Sequence, residues 1–259
     1  MNITILGAGA FGSALGRILE EKNHKVTYYA LNLNITLEDA LKNAELLVLA
    51  IPSAAIPDLL PKLPKNLPLV VATKGILNPT EAFKDFEDIM VLSGPGFAVD
   101  IDRHIKTKLT ATDPRIRDLF GTSWLTFDMT GDEKGVLLCG ALKNVYAIYA
   151  GLKNLKPGTK EHDNYLKTAA EEMKADLFEN GANPKTVDLV CGKGDLKITC
   201  NYPSRNYEFG QKLIQNPTYQ PEKTVEGVTA LKKIKAGEMK IPKTAFILKE
   251  LIKISNNWA

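Results

Sequence analysis

Residues 5–16 read ILGAGAFGSALG, and the fold turns on how they are read. Gly7, Gly9 and Gly12 stand in G-x-G-x-x-G spacing. The spacing alone is a weak signal. Here it follows the apolar run ITILG (3–7) and opens a segment of helical spacing, which is the context a dinucleotide-binding turn requires. Each glycine has its own reason. Gly7 permits the tight turn, Gly9 lets the backbone approach a pyrophosphate, and Gly12 lets helix and strand pack closely. Ala10 and Phe11 then fall at a helix N-terminus, where free N–H groups and the positive dipole end suit phosphate oxygens. A glycine-rich turn without a ligand is the plainer alternative for the same letters.

Outward from this turn, short apolar runs alternate with helical or turn-rich segments. The runs KVTYYA (25–30), LLVLAIP (46–52), LVVAT (69–73), IMVLSG (89–94), KTKLTAT (106–112) and WLTFDMT (124–130) read as strands. AFGSALGRILEEK, TLEDALKNA and PRIRDLF have helical spacing. Strand–helix alternation with nearly continuous apolar strands predicts a parallel sheet covered on both faces. After about residue 131 the strand signals stop. Helical patterns follow at 132–155, 162–180, 204–215, 224–236 and 242–256, punctuated by Asn-Pro and Tyr-Pro turns. The expected fold is α/β: a Rossmann-type parallel-sheet domain over 1–130, then an all-helical domain over 131–259 that carries the substrate and catalytic residues.

Composition narrows the function classes. The chain has 259 residues, 44% hydrophobic and 24% charged, with a formal net charge of +3. Lysines are matched by nearby acids, so no nucleic-acid footprint is expected. Cys139, Cys191 and Cys200 form no disulfide framework and no zinc-type spacing, and no metal is expected. No basic leader precedes the first apolar run, and no stretch offers about 18 uninterrupted apolar residues. A cytoplasmic protein without a membrane span is the expectation. His24, His104 and His162 fit no metal-ligand spacing, and Tyr146 and Tyr149 read as packing residues.

The mid-chain segment GALKNVYAIYAG (140–151) is apolar yet carries Lys143. By pattern alone such a lysine lays its stem on apolar surface and lifts its charge to water. Other segments change that reading. GAGAFGSALG, ATKGI, LSGPGFA, GALKNVYAIYAG, GKGDLKITC, SRNYEFG and VEG occur in this order. The ordered set resembles the soluble NAD(P)-dependent glycerol-3-phosphate dehydrogenases across nearly the whole chain.

The resemblance implies interconversion of dihydroxyacetone phosphate and sn-glycerol 3-phosphate, feeding glycerophospholipid biosynthesis. It implies NAD or NADP as cofactor, a small phosphorylated triose as substrate, and a homodimer. It makes Lys143 the general acid/base, with Lys74 a second cation at the carboxyl edge of the sheet, in contact with cofactor and substrate. Asp195 would orient Lys143 or the substrate hydroxyl. Gly94 would line the substrate, as would Ser204, Arg205 and Asn206 at a helix start, where an Arg fork and backbone N–H groups suit a phosphate. Ala98, Arg205 and Glu226 would border the cofactor. Each has a plainer reading: a solvated loop lysine for Lys74, a cap or turn aspartate for Asp195, an N-cap for Ser204, a first-turn acid for Glu226.

The chain departs from the family pattern in several places. The segment after the second strand is short, Gly96 stands where the family has Ser or Thr, and the 160–184 region keeps Asn164 but lacks the usual arginine. The second strand ends YYALNLN, so neither an acid nor an Arg near Leu31 and Asn32 selects between NAD and NADP. Two other readings fit these departures: a dehydrogenase for another small hydroxy compound, and a non-catalytic NAD(P)-binding protein.

Overall fold

The computed structural model describes residues 1–256 and Trp258, and it divides into two compact units. The first unit is Met1–Thr73 with Pro79–Glu133; the second is Lys74–Asn78 with Lys134–Ala259.

The first unit is built on a seven-stranded sheet. Its strands are β1 (Asn2–Leu6), β2 (Lys25–Tyr29), β3 (Leu46–Leu49), β4 (Leu69–Val71), β5 (Ile89–Ser93), β6 (Thr107–Ala111) and β7 (Leu125–Met129). The order across the sheet is β2-β1-β3-β4-β5-β6-β7. Its helices are α1 (Ala10–Glu21), α2 (Leu37–Leu41), α3 (Ile56–Leu59), α4 (Pro79–Ala82), α5 (Ala98–Asp102) and α6 (Pro114–Phe120). Every residue of β3 and β4 is buried, as a central parallel strand covered on both faces must be. Ile3, Ile5, Val48, Val70, Met90 and Leu92 meet Leu15, Leu19, Ile116 and Phe120 in one core.

The expectation of a parallel sheet is corrected at one junction. β5 and β6 pair antiparallel, with Leu92 opposite Ala111 and Ser93 opposite Thr110. The connection between them carries only the five-residue α5. A parallel return needs a crossover, usually a full helix, and here the chain doubles back instead. β6 and β7 are parallel again, with α6 as their crossover.

The second unit is helical: α7 (Glu133–Leu152), α8 (Lys160–Glu179), α9 (Asp195–Thr199), α10 (Arg205–Gln215), α11 (Glu226–Lys235) and α12 (Phe246–Ser255). Every residue from Gly135 to Gly151 is buried, so α7 is the unit's central helix. Its mean hydropathy of 1.4 qualifies it by length and composition to cross a membrane, although the sequence has no uninterrupted apolar run there. In the fold, 94% of that apolar window is buried within protein. The neighbouring helices come close because glycines face one another. A Cβ on Gly151 would stand 2.0 Å from the Tyr207 carbonyl oxygen, and one on Gly210 2.1 Å from that of Ile148. Glu172 of α8 accepts hydrogen bonds from the backbone N–H groups of Phe246, Ile247 and Leu248, which caps α12 with a buried carboxylate. Tyr146 and Tyr149 pack as expected, and their hydroxyls also donate to Asp176 (2.7 Å) and Glu250 (2.5 Å). His162 is buried, with Nε2 2.9 Å from the Cys200 carbonyl oxygen.

Candidate active site

In the first unit the glycine turn after β1 has the geometry its letters imply. Gly7 has φ +115°, and a Cβ there would lie 2.4 Å from the Ala50 carbonyl oxygen. A Cβ on Gly12 would stand 2.0 Å from the Gly7 carbonyl oxygen, so α1 touches the turn backbone to backbone. Gly9 differs: nothing lies within 4 Å of where its Cβ would be. Gly9 is also the N-cap of α1, and no side chain caps that first turn. Open space over uncapped N–H groups at Ala10 and Phe11 fits a dinucleotide pyrophosphate. Gly94 follows β5 with φ +145°, and Ala98 opens α5. A Cβ on Gly96 would meet Leu109 Cδ2 at 2.9 Å, so Leu109 stands where a side chain at 96 would begin. After β2, Leu31 is 95% exposed.

The two glycines predict opposite outcomes. Gly9→Ala is expected to keep the melting temperature, because φ −73° suits any residue. Its methyl occupies the open space, so NAD(P)H affinity is expected to fall at least tenfold. Gly12→Ala is expected to lose about 1–3 kcal/mol of stability through overpacking. Thermal melts and NAD(P)H fluorescence titrations of both variants check this. Unchanged affinity in Gly9→Ala would remove the turn from the cofactor site.

In the second unit, three charged residues far apart in sequence meet. Asp195 Oδ2 accepts from Lys74 Nζ at 3.1 Å, and Asp195 Oδ1 lies 2.5 Å from Lys143 Nζ. That second contact is a buried ion pair. Lys143 also donates to Thr199 Oγ1 (3.0 Å), whose hydroxyl donates to the Asp195 carbonyl oxygen (2.6 Å). The Asp195 side chain is 1% exposed, that of Lys143 5% and that of Lys74 27%. Lys143 therefore does not snorkel, and Lys74 is not a solvated loop lysine. Burial is the main cause that drives the Lys143 amine below its ordinary value, to about 7. Asp195 opposes the shift and Lys74 adds to it.

Asp195 is set by its approach. A π-helical turn, Val190–Gly194, leads into α9, and Asp195 is the first residue of that helix rather than its cap. A Cβ on Gly192 would lie 2.2 Å from the Val187 carbonyl oxygen. Only a bare backbone lets this turn close and bring Asp195 against Lys143.

The start of α10 holds the remaining candidates. Ser204 takes the N-cap position, but its side chain makes no capping bond. Arg205 is exposed and donates from Nη1 to the Thr224 carbonyl oxygen at 3.0 Å. Asn206 is buried and bonds to Asn144. Glu226 is the first residue of α11 and is half-buried. Lys74, Lys143 and Asp195 thus form one ion cluster, while Ser204 and Arg205 stand at a helix start. Sequence reasoning passed over Thr199 and Asn144. The signals were present: Thr199 is one helical turn after Asp195, and Asn144 follows Lys143 directly.

Comparison with known proteins agrees with this geometry. The family description "NAD-dependent glycerol-3-phosphate dehydrogenase N-terminus" matches residues 2–36 and 29–117, and the corresponding C-terminus matches residues 132–258. A glycerol-3-phosphate dehydrogenase [NAD(P)+] of Acaryochloris marina is 33% identical, over 87% of this chain and 81% of that protein. One from Pseudomonas entomophila is also 33% identical, over 90% and 84%. The fold is shared with the glycerol-3-phosphate dehydrogenase structures of Plasmodium falciparum and Coxiella burnetii. The first has TM-score 0.83 and 17% identity, over 99% and 92% of the two chains; the second has 0.76 and 21%, over 97% of each. With both halves matched in order, and relatives this similar over most of their own length, the chain belongs to the NAD-dependent glycerol-3-phosphate dehydrogenase family.

Proposed function

We propose that this chain interconverts dihydroxyacetone phosphate and sn-glycerol 3-phosphate, using NAD or NADP. The observation that carries the reading is Lys143: a buried amine, held by a carboxylate that a second lysine shares, with its pKa brought toward neutrality. When bound, the nicotinamide supplies or accepts the hydride at the substrate's C2. In reduction, the Lys143 ammonium gives its proton to the C2 oxygen. In oxidation, the neutral Lys143 amine takes the proton from the C2 hydroxyl. A general acid/base works best when its pKa lies near the working pH, and a lysine at its ordinary value would hold its proton too firmly. Asp195 and Thr199 fix the direction of Nζ, and Lys74 keeps the amine acidic.

The work divides along the chain. Residues 1–130 hold the dinucleotide through Gly7, Gly9, Ala10, Phe11 and Gly12, with Ala98 beyond β5, and Gly94 lines the substrate. Residues 131–259 supply the proton and the phosphate contacts. Ser204 and Arg205 are proposed to take the substrate phosphate, and Glu226 to border the nicotinamide. The start of α10 supports the phosphate role, because no side chain caps it and the Arg205 guanidinium beside it is exposed. A cytoplasmic homodimer belongs to the same proposal, and the three buried free thiols suit a reducing compartment.

The test is NADH and NADPH oxidation with dihydroxyacetone phosphate, against dihydroxyacetone as control. Turnover that depends on the phosphate is expected. Arg205→Ala is expected to raise the KM for the phosphorylated substrate about tenfold to a hundredfold, the range of a hydrogen bond to a charged group. Arg205 is exposed, so the larger cost of breaking a buried pair does not apply. Faster turnover on an unphosphorylated hydroxy compound would reassign the substrate. Tight NAD(P)H binding with no turnover would make the chain a nucleotide-binding protein.

A further inference from the structure

The glycine turn leaves β1 beside the end of β2. Leu6 pairs with Tyr29, and the Gly7 N–H donates to the Tyr29 carbonyl oxygen at 2.8 Å. The chain after β2 closes at once into a tight turn, in which the Leu33 N–H donates to the Ala30 carbonyl oxygen at 3.0 Å. Leu31 and Asn32 hold its two central positions, both exposed. In a dinucleotide fold the adenosine ribose lies at this edge, and an arginine here accommodates a 2′-phosphate. The connection after β2 supplies no such cation: residues 26–41 contain no Lys, Arg or His. Lys25 stands at the opposite end of β2, about 13 Å of strand away. Lys42 belongs to the return toward the start of β1, where Glu45 accepts from the Asn2 N–H.

The connection after β3 leaves the same edge on the other side of β1, and a Cβ on Gly7 would lie 2.4 Å from the carbonyl oxygen of its first residue, Ala50. Residues 50–59 also lack a base. The charge that the two connections do carry is acidic: Glu38 and Asp39 in the first turn of α2, and Asp58 in α3. α2 lies against the sheet, since Thr4 Oγ1 donates to the Ala40 carbonyl oxygen at 2.7 Å. Its Asp39 N–H is taken by Thr36 Oγ1 at 3.1 Å. A 2′-phosphate would therefore leave water for a surface with acids and no base, whereas a 2′-hydroxyl needs only a neutral partner such as the Asn32 amide. We propose that the chain selects NAD over NADP, and that Leu31 sets the choice by standing where the 2′-phosphate would need a cation. The inference rests on the proposed function, which reads the glycine turn as the dinucleotide site, and it narrows the cofactor of that site.

The test is binding without substrate. The whole chain is titrated with NADH and with NADPH, and bound NADH is displaced by adenosine 5′-monophosphate or by adenosine 2′,5′-bisphosphate. NADH is expected to bind about 10- to 100-fold tighter than NADPH, the scale of the charged hydrogen bonds that a 2′-phosphate would lack. The monophosphate is expected to displace NADH better than the bisphosphate. Leu31→Arg supplies a guanidinium fork for phosphate, so it is expected to shift the ratio of the two affinities about tenfold or more toward NADPH. Leu31 is 95% exposed, so the variant is expected to keep its melting temperature. If it does not fold, Asn32→Arg puts the cation at the neighbouring turn position and the same ratio is read. Equal or tighter binding of NADPH by the wild-type chain overturns the selectivity. An unmoved ratio in the folded arginine variant overturns the role of this turn. A wild-type chain that binds nucleotide without turnover fails the proposed reaction alone, and the affinity ratio still decides this inference. Binding of neither nucleotide overturns the cofactor reading and this inference together.

Discussion

Lys143→Ala is expected to lower turnover of dihydroxyacetone phosphate by about 10²–10⁴-fold, the usual range for removing a positioned general acid/base. NAD(P)H binding is expected to stay within about twofold, because the glycine turn lies in the other unit. The pH profile sharpens the expectation. Oxidation needs the neutral amine, so kcat/KM for glycerol 3-phosphate should rise as pH passes through about 7. Reduction needs the ammonium, so its rate should fall above the same point. A substrate phosphate also titrates near that pH, and Lys74 separates the two sources. Lys74 lowers the Lys143 pKa, so Lys74→Ala should move the limb to higher pH. A phosphate limb would not move. Near wild-type rates in Lys143→Ala would sink the assignment, and an unmoved limb in Lys74→Ala would show that Lys143 is not the titrating group.

The parts of this protein that could be read from sequence are those fixed by local letters. The turn at Gly7, Gly9 and Gly12 is one, because close approach and positive φ leave few residues to choose from. The buried strands are another, since a run such as LLVLAIP has no polar face to turn outward. The β5–β6 reversal was not legible: its connection (94–106) is as long as the β6–β7 connection (112–124), which returns parallel, and no motif marks the difference. The π-helical turn before Asp195 left only the glycine at 192 as a trace. Lys143 was ambiguous for a different reason. Local pattern gives a lysine among apolar residues, and such lysines usually reach for water. Only its partners Asp195 and Thr199, more than fifty positions away, hold the side chain inside. The same holds for Asn206, whose partner Asn144 lies 62 positions away, so resemblance could suggest a role while the contact stayed hidden.

Asp195→Asn should expose the electrostatics of the cluster most directly. One carboxylate, 1% exposed, lies between the ammonium groups of Lys74 and Lys143. Removing its charge leaves two cations facing a neutral amide. Breaking a buried pair in this way costs about 3–5 kcal/mol when the remaining charge stays buried. Two effects moderate that figure here: Lys74 is partly exposed, and Lys143 can release its proton. The second effect sets the pH dependence. Asp195 holds the Lys143 pKa up, so its loss lowers that pKa further. The unfolded lysine titrates near 10.5. Between the two values the unfolded chain binds more protons than the folded one, and stability rises with pH. The variant should therefore lose much more stability at pH 6, where Lys143 must shed a proton to stay buried, than at pH 9. Denaturant unfolding of variant and wild type at both pH values measures this. Catalysis should follow the same sign. With Lys143 neutral near pH 7, reduction loses its acid and should fall more steeply than oxidation. An equal stability loss at pH 6 and pH 9 would mean that Asp195 acts by packing alone and that the lysines do not depend on its charge.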